Sequence, residues 1–170
     1  LLKLQEMSRT EAIEEYEKLR FAWRGDDFEF QSLHRLGELY LAEGDYRSGL
    51  RTLRQAATHF RNHKDVAQVT QQMADAFADV FFGERGEDLP PVTAIALYDE
   101  FKELAPAGPK GDALIRKLAD RLAGVDLLEQ AAEILEGQIR FRLSGPLKAE
   151  VGARLAVIYL LARRYDLALA

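Results

Sequence analysis

Large and small apolar positions recur along this chain in two fixed patterns. A large residue, a small one and a second large one three further on appear as Leu36-Gly37 with Tyr40, Met73-Ala74 with Phe77, Leu118-Ala119 with Leu122, and Leu155-Ala156 with Tyr159. A second pattern, small then large four later, appears as Ala12/Tyr16, Gly49/Leu53, Ala94/Tyr98 and Ala131/Leu135, and its small residue returns at Ala168. Spacings of three and four put such residues on one face of an α-helix, so each pattern predicts a helix. The step from the second pattern to the next copy of the first is 25 residues each time: 12 to 37, 49 to 74, 94 to 119 and 131 to 156. The return step is 12 for 37 to 49, 119 to 131 and 156 to 168, but 20 for 74 to 94, an insertion of eight. Self-similarity at a fixed period of this length is the signature of a helical repeat array.

The expected units are antiparallel helix pairs. A partial unit contributes its second helix over 8–22, complete units cover 30–61, 65–106 (with the insertion at 81–91) and 110–143, and a partial unit covers 147–170. The whole of 1–170 thus reads as one array cut at both ends. Glu43-Gly44-Asp45-Tyr46 breaks the period of the first complete unit, where Gly44 can take the left-handed conformation that ends a helix and Tyr46 can fold back over the joint. Val125-Asp126-Leu127-Leu128 and Arg163-Arg164-Tyr165-Asp166 hold the same place later on. Small residues at 37, 74, 119 and 156 mark expected close crossings of two helix backbones, buried between large neighbours.

Leu33-x2-Leu36-Gly37-x2-Tyr40-x3-Gly44-x-Tyr46-x2-Gly49-x3-Leu53-x2-Ala56 resembles the motif of the tetratricopeptide repeat family, with Leu33 where Trp is typical and Gly49 where Ala is typical. Ala94-x3-Tyr98-x2-Phe101-x4-Pro106 matches the second-helix half with its closing proline. The resemblance covers almost the whole chain and implies an all-α, right-handed superhelix (a solenoid) of antiparallel helix pairs. These units repeat at 37 residues where the family's usual unit has 34, which bears on superhelical pitch and leaves the helix-pair plan untouched.

Composition adds constraints. Charged residues make up 30% and apolar residues 48% of the 170 positions, an ordinary balance for a folded helical protein. A net charge of −5 argues against a general nucleic-acid binder, since phosphate contacts need surplus Lys and Arg. No apolar run is long enough for a membrane helix, so a soluble protein is expected, cytoplasmic or periplasmic. The absence of cysteine excludes disulfides, a thiolate nucleophile and a Cys-based metal site, but does not choose a compartment.

Candidate chemistry is sparse. His59 and His63 have the four-residue spacing of two ligands for one metal, with Asp65 as a conceivable third, but a helix C-terminal turn favours such residues without any ion. Gly108-Pro109-Lys110-Gly111-Asp112 lacks the long Gly-rich loop and the Lys-Ser/Thr ending that cradle phosphates, and reads as a linker with Asp112 capping a helix. Glu14/Glu15 and Asp26/Asp27 lie on polar faces or in a turn where nothing desolvates them. There is no Gly-x-Ser-x-Gly elbow. No catalytic residue, cofactor or metal is expected. The row Arg47, Arg51, Arg54 and Arg61 reads as a solvated outer face whose stems cover apolar surface.

Binding positions follow from the family's usual inner groove, which first helices line. Residues two after each Leu/Met anchor are Glu38, Asp75, Asp120 and Val157, and residues two before are His34, Gln71, Arg116 and Ala153. His34, Glu38, Gln71, Asp75, Arg116 and Asp120 are therefore the candidate groove residues, and the three carboxylates suit a basic or polar peptide or protein. By resemblance, family members that clamp a C-terminal carboxylate use Lys and Asn at these places, a set this chain lacks. Phe81, Phe82 and Arg85 of the insertion form a second candidate partner site, since insertions in repeats map to loops, often on a binding face. The simpler account is that the preceding helix continues two turns and buries both phenylalanines. The function expected is a non-catalytic protein-interaction scaffold. The alternative is a structural or regulatory repeat domain of a larger multidomain protein, including an enzyme whose catalytic part lies outside this segment.

Overall fold

The computed structural model describes residues 7–22, 25, 27–83 and 89–169, with the side chains of 21 and 22 left aside. Every regular element among them is helical: α1 (Arg9–Ala22), α2 (Asp27–Ala42), α3 (Tyr46–His59), α4 (Val66–Phe82), α5 (Pro91–Phe101), a 3-10 turn (Lys102–Leu104), α6 (Pro109–Gly124), α7 (Leu128–Phe141), α8 (Gly145–Leu161) and α9 (Tyr165–Ala168). The fold is all-α, with helices packed in consecutive pairs. The chain forms two compact units, Leu1–Ala78 and Asp79–Ala170, whose boundary falls inside α4.

Local chemistry sets the helix starts. Ser8 and Glu11 make a capping box: the Ser8 Oγ accepts from the Glu11 N–H at 3.2 Å while the Ser8 N–H donates to the Glu11 carboxylate at 2.9 Å. Asp45 accepts from the Ser48 N–H at 3.1 Å to cap α3. Pro91, Pro109 and Pro146 each lie in a first turn, where the missing N–H costs nothing. Each second helix begins three residues before its small residue: 46 for 49, 91 for 94, 128 for 131 and 165 for 168.

The ends of the first helices share one device. Gly44, Asp126 and Arg163, seven residues after Gly37, Ala119 and Ala156, all have left-handed φ (82°, 64° and 59°). The next residue's N–H then reaches back to the second large residue of the pattern, from Asp45 to Tyr40, Leu127 to Leu122 and Arg164 to Tyr159, at 2.8–2.9 Å. The left-handed residue itself donates to the carbonyl three before it (Leu41, Ala123, Leu160), which completes a Schellman motif. In α4 the equivalent position is Phe81, which is helical, so α4 runs eight residues past Ala74 where α2, α6 and α8 run five past theirs. The extension is therefore about one turn, not the two expected, and it stops where the Gly83 N–H bonds the Asp79 carbonyl at 2.7 Å.

Small residues do mark the crossings. Gly37 and Gly49 face one another between α2 and α3: a Cβ on Gly37 would stand 2.6 Å from Leu53, and one on Gly49 would stand 2.7 Å from Leu41. In the second unit Ala119 and Ala131 are both fully buried. Ala74 and Ala156 are only half-buried, a correction to the expectation of uniform burial. Fully buried Phe30, Leu33, Leu50 and Phe77 build the core of the first unit, and Phe101, Leu114, Leu118, Leu122 and Leu135 that of the second. Each such side chain contributes roughly 1.5–3 kcal/mol by leaving water.

Candidate functional site

Two groove candidates of the first unit, His34 and Glu38, share one polar network. His34 Nε2 meets Gln72 Oε1 at 2.8 Å, the Gln72 amide donates to Glu38 at 3.4 Å, and Arg35 pairs with Glu38 at 2.8 Å. Gln71 donates to Asp75 at 2.9 Å on an exposed face of α4. In the second unit the Arg154 guanidinium donates to Asp120, joining α8 to α6. Two of these bridges are repeats of one another. Glu38 and Asp120 both follow the small residue of their pattern, and each accepts from a residue 34 positions later, Gln72 and Arg154. Glu38 and Asp120 thus tie the first helix of one pair to that of the next, while Asp75 bonds within its own helix; Asp75 and Asp120 are exposed and Glu38 is half-buried. Arg116 is half-buried, and its Nη1 lies buried without a hydrogen-bond partner.

A second recurring bridge was not read from the sequence. The Tyr40 hydroxyl donates to Glu17 at 3.0 Å, and the Tyr159 hydroxyl donates to Glu136. Both pairs are 23 residues apart and join equivalent positions, five after the small residue of one helix and three after that of the next. Where the aromatic hydroxyl is missing, at Phe77 and Leu122, the matching positions hold Arg54 and Asp99 instead of Glu. This joint change of two positions between copies was the signal available in the sequence. Burial, followed by the bond to Glu17, pushes the Tyr40 hydroxyl up to about 12.

The other candidates separate. Phe81 is buried, with its ring edge-on to Tyr98 at 6.3 Å, so it belongs to the core and not to a partner site. Phe82 is 44% exposed, contrary to burial of both phenylalanines, and Arg85 lies outside the described residues. His63 stacks on Phe30 at 3.7 Å, its Nε2 meets Asp27 at 2.7 Å, and its Nδ1 accepts from the Asp65 N–H at 3.2 Å. Its two ring nitrogens therefore fasten the start of α2, through Asp27, and the residue before α4, Asp65, while His59 is exposed. Asp112 is not the cap of α6. Pro109 takes the first helical position, so the cap falls on Gly108, and Asp112 turns inward to the Arg142 guanidinium at 3.2 Å. Arg47, Arg51 and Arg61 are exposed and Arg54 is half-buried.

A cleft of about 380 Å³ opens in the second unit between α5 and α7. Ile95 and Tyr98 from α5 and Ile134 and Phe141 from α7 form its apolar walls, and the buried Ile115 of α6 also lines it. Asp99, Lys102, Glu133 and Arg142 bring charge to it. Burial raises the Tyr98 hydroxyl above its ordinary range, with the Asp99 carboxylate adding to the effect and Arg142 opposing it. The first unit differs at the equivalent place. There the Arg20 guanidinium reaches from α1 to Gln55 on α3 at 2.6 Å. Eight and six residues after their small residues, Arg20 and Gln55 correspond to Lys102 and Gly137. Gly137 has no side chain to meet Lys102, and a Cβ there would touch nothing within 4 Å. Beside it the buried Gln138 replaces the fully buried Ala56, donating to the Asp112 carbonyl at 3.0 Å while its Oε1 has no partner.

The chain matches no known family model, and no curated protein is detectably similar to it.

Proposed function

We propose that the chain is a non-catalytic protein-interaction scaffold, a tetratricopeptide-like array whose first helices present a polar face to a basic or amide-rich peptide. The recurrence of the same inter-helix bridge at Glu38–Gln72 and Asp120–Arg154 carries this reading. Equivalent contacts between successive copies are what a solenoid is built from, and its concave face is where such proteins bind. Within each unit, α2 with α4 and α6 with α8 supply this face. Asp75 and Asp120 are its exposed carboxylates and therefore its first partner contacts, ahead of the half-buried Glu38. Steering by their charge favours cationic partners and weakens with salt.

The test is selection of peptides on the immobilised chain, followed by charge reversal. Asp75→Lys and Asp120→Lys should weaken the selected peptides by about tenfold, about 1.4 kcal/mol, with helicity unchanged. Loss of binding in Arg51→Glu but not in these two variants would move the binding face to the second helices and refute the reading.

A further inference from the structure

We propose that the α5–α7 cleft is a second docking site, one that takes a peptide segment with a single large apolar anchor between a basic and an acidic flank. The inference rests on the scaffold reading above, and it concerns a different set of helices.

Three observations carry it. Where the first unit has the Arg20–Gln55 bond the cleft has Lys102 and Gly137, and a Cβ on Gly137 would meet nothing within 4 Å. Its volume of about 380 Å³ sits at the lower end of the range for specific pockets, roughly 300–1,000 Å³, which suits one anchor and little more. Ile95, Ile115, Ile134 and the 78%-exposed Phe141 give that anchor apolar contact, so filling the cleft also covers an aromatic ring that water now surrounds.

The charges are ordered. On α5 Asp99 precedes Lys102 at the helix end, and on α7 Glu133 precedes Arg142 at the helix end. Helices packed consecutively through short connections run antiparallel, so α5 and α7 run in the same sense and their charges align. Along both helices the acidic group thus comes before the basic one, by three residues on α5 and by nine on α7. Arg142 forms an ion pair with the buried Asp112, 3.2 Å away, while Lys102, Asp99 and Glu133 are exposed and make no ion pair among the described residues. A uniformly charged peptide would meet one favourable and one repulsive end. A peptide with opposite charges on either side of its anchor meets two favourable ends.

The experiment uses the full chain and short capped peptides with a central Phe, Lys on one flank and Glu on the other, in both orders. Controls carry a central Ala, or Lys or Glu on both flanks. Binding is read by fluorescence anisotropy and by backbone amide shifts. One of the two bipolar Phe peptides should bind best and shift Ile95, Ile134 and Gly137. Gly137→Gln, which supplies the side chain that Gln55 provides in the first unit, should weaken it by about tenfold without lowering Tm. Lys102→Glu should weaken it and favour the peptide flanked by Lys on both sides. Equal binding of the Ala-centred peptide, indifference to Gly137→Gln, or equally tight binding by N-acetyl-phenylalaninamide alone would overturn the proposal. If library-selected peptides bind in an Asp75- and Asp120-dependent way while the bipolar peptides do not bind, the cleft inference fails and the scaffold reading stands.

Discussion

Gly37→Ala is the most informative perturbation of the fold. The new Cβ would lie 2.6 Å from both Cγ and Cδ2 of Leu53 and 3.3 Å from the Gly49 carbonyl oxygen. Carbon atoms pack best at about 3.5–4.0 Å, so the approach to Leu53 is about 1 Å too close. Leu53 is fully buried and cannot swing into solvent, and the Gly49 oxygen belongs to the facing helix backbone. Overpacking of this kind costs about 1–3 kcal/mol, against which Ala returns up to about 1 kcal/mol of helix propensity. Gly137→Ala is the internal reference, since it also sits within a helix but its Cβ meets nothing within 4 Å. Propensity acts alike in both, so the difference between the two variants isolates the crossing and should be about 1–3 kcal/mol. Urea denaturation followed by circular dichroism measures it, supported by Tm, which shifts about 2–4 °C per kcal/mol for a chain of this size. If Gly37→Ala and Gly137→Ala stabilise the protein equally, the close crossing of α2 and α3 is wrong.

Three further outcomes are expected. Asp126→Gly and Arg163→Gly, at left-handed positions filled by residues with a Cβ, should each stabilise by up to about 1 kcal/mol, whereas Gly44→Ala should cost about as much; thermal melts decide the signs. Arg142→Ala strands the buried Asp112 carboxylate and should destabilise by about 1–3 kcal/mol, discounted from fully buried pairs because Arg142 is one-third exposed, with Asp112→Asn partly rescuing it in a double variant. The folded-state pKa of Tyr40 lies above its unfolded value of 10.0, so its contribution is complete below pH 10 and fades as pH rises towards about 12. Tyr40→Phe should therefore flatten the alkaline loss of stability in that window, and its removal should be visible in the ultraviolet phenolate titration.

What was legible in the sequence was whatever is local. Helices and turns followed from spacings of three and four, and Gly44 announced its own conformation. Asp126 and Arg163 adopt the same conformation, but their side chains carry no sign of it; only their place seven residues after a small residue does. The α4 extension was overestimated because the spacing measures the length of an insertion and not where the helix stops. Asp112 looked like a cap because the Gly108–Gly111 stretch before it reads as a linker, yet Pro109 fixes the helix start and frees Asp112 for Arg142. The cleft was illegible position by position, since it arises from an absence. Setting Gln55-Ala56 beside Gly137-Gln138 as equivalent pairs would have revealed it.

The bridges described above have a kinetic consequence. Tyr40–Glu17 and Tyr159–Glu136 span 23 residues, Glu38–Gln72 and Asp120–Arg154 span 34, and His34–Gln72 spans 38. Each links a helix to one that follows within about one period, so each closes a loop of similar, moderate length. A helix pair can therefore gain these partners as soon as the next one has been synthesised. A fault at one joint is then confined to the neighbours that share its bridges, and the rest of the chain keeps its own.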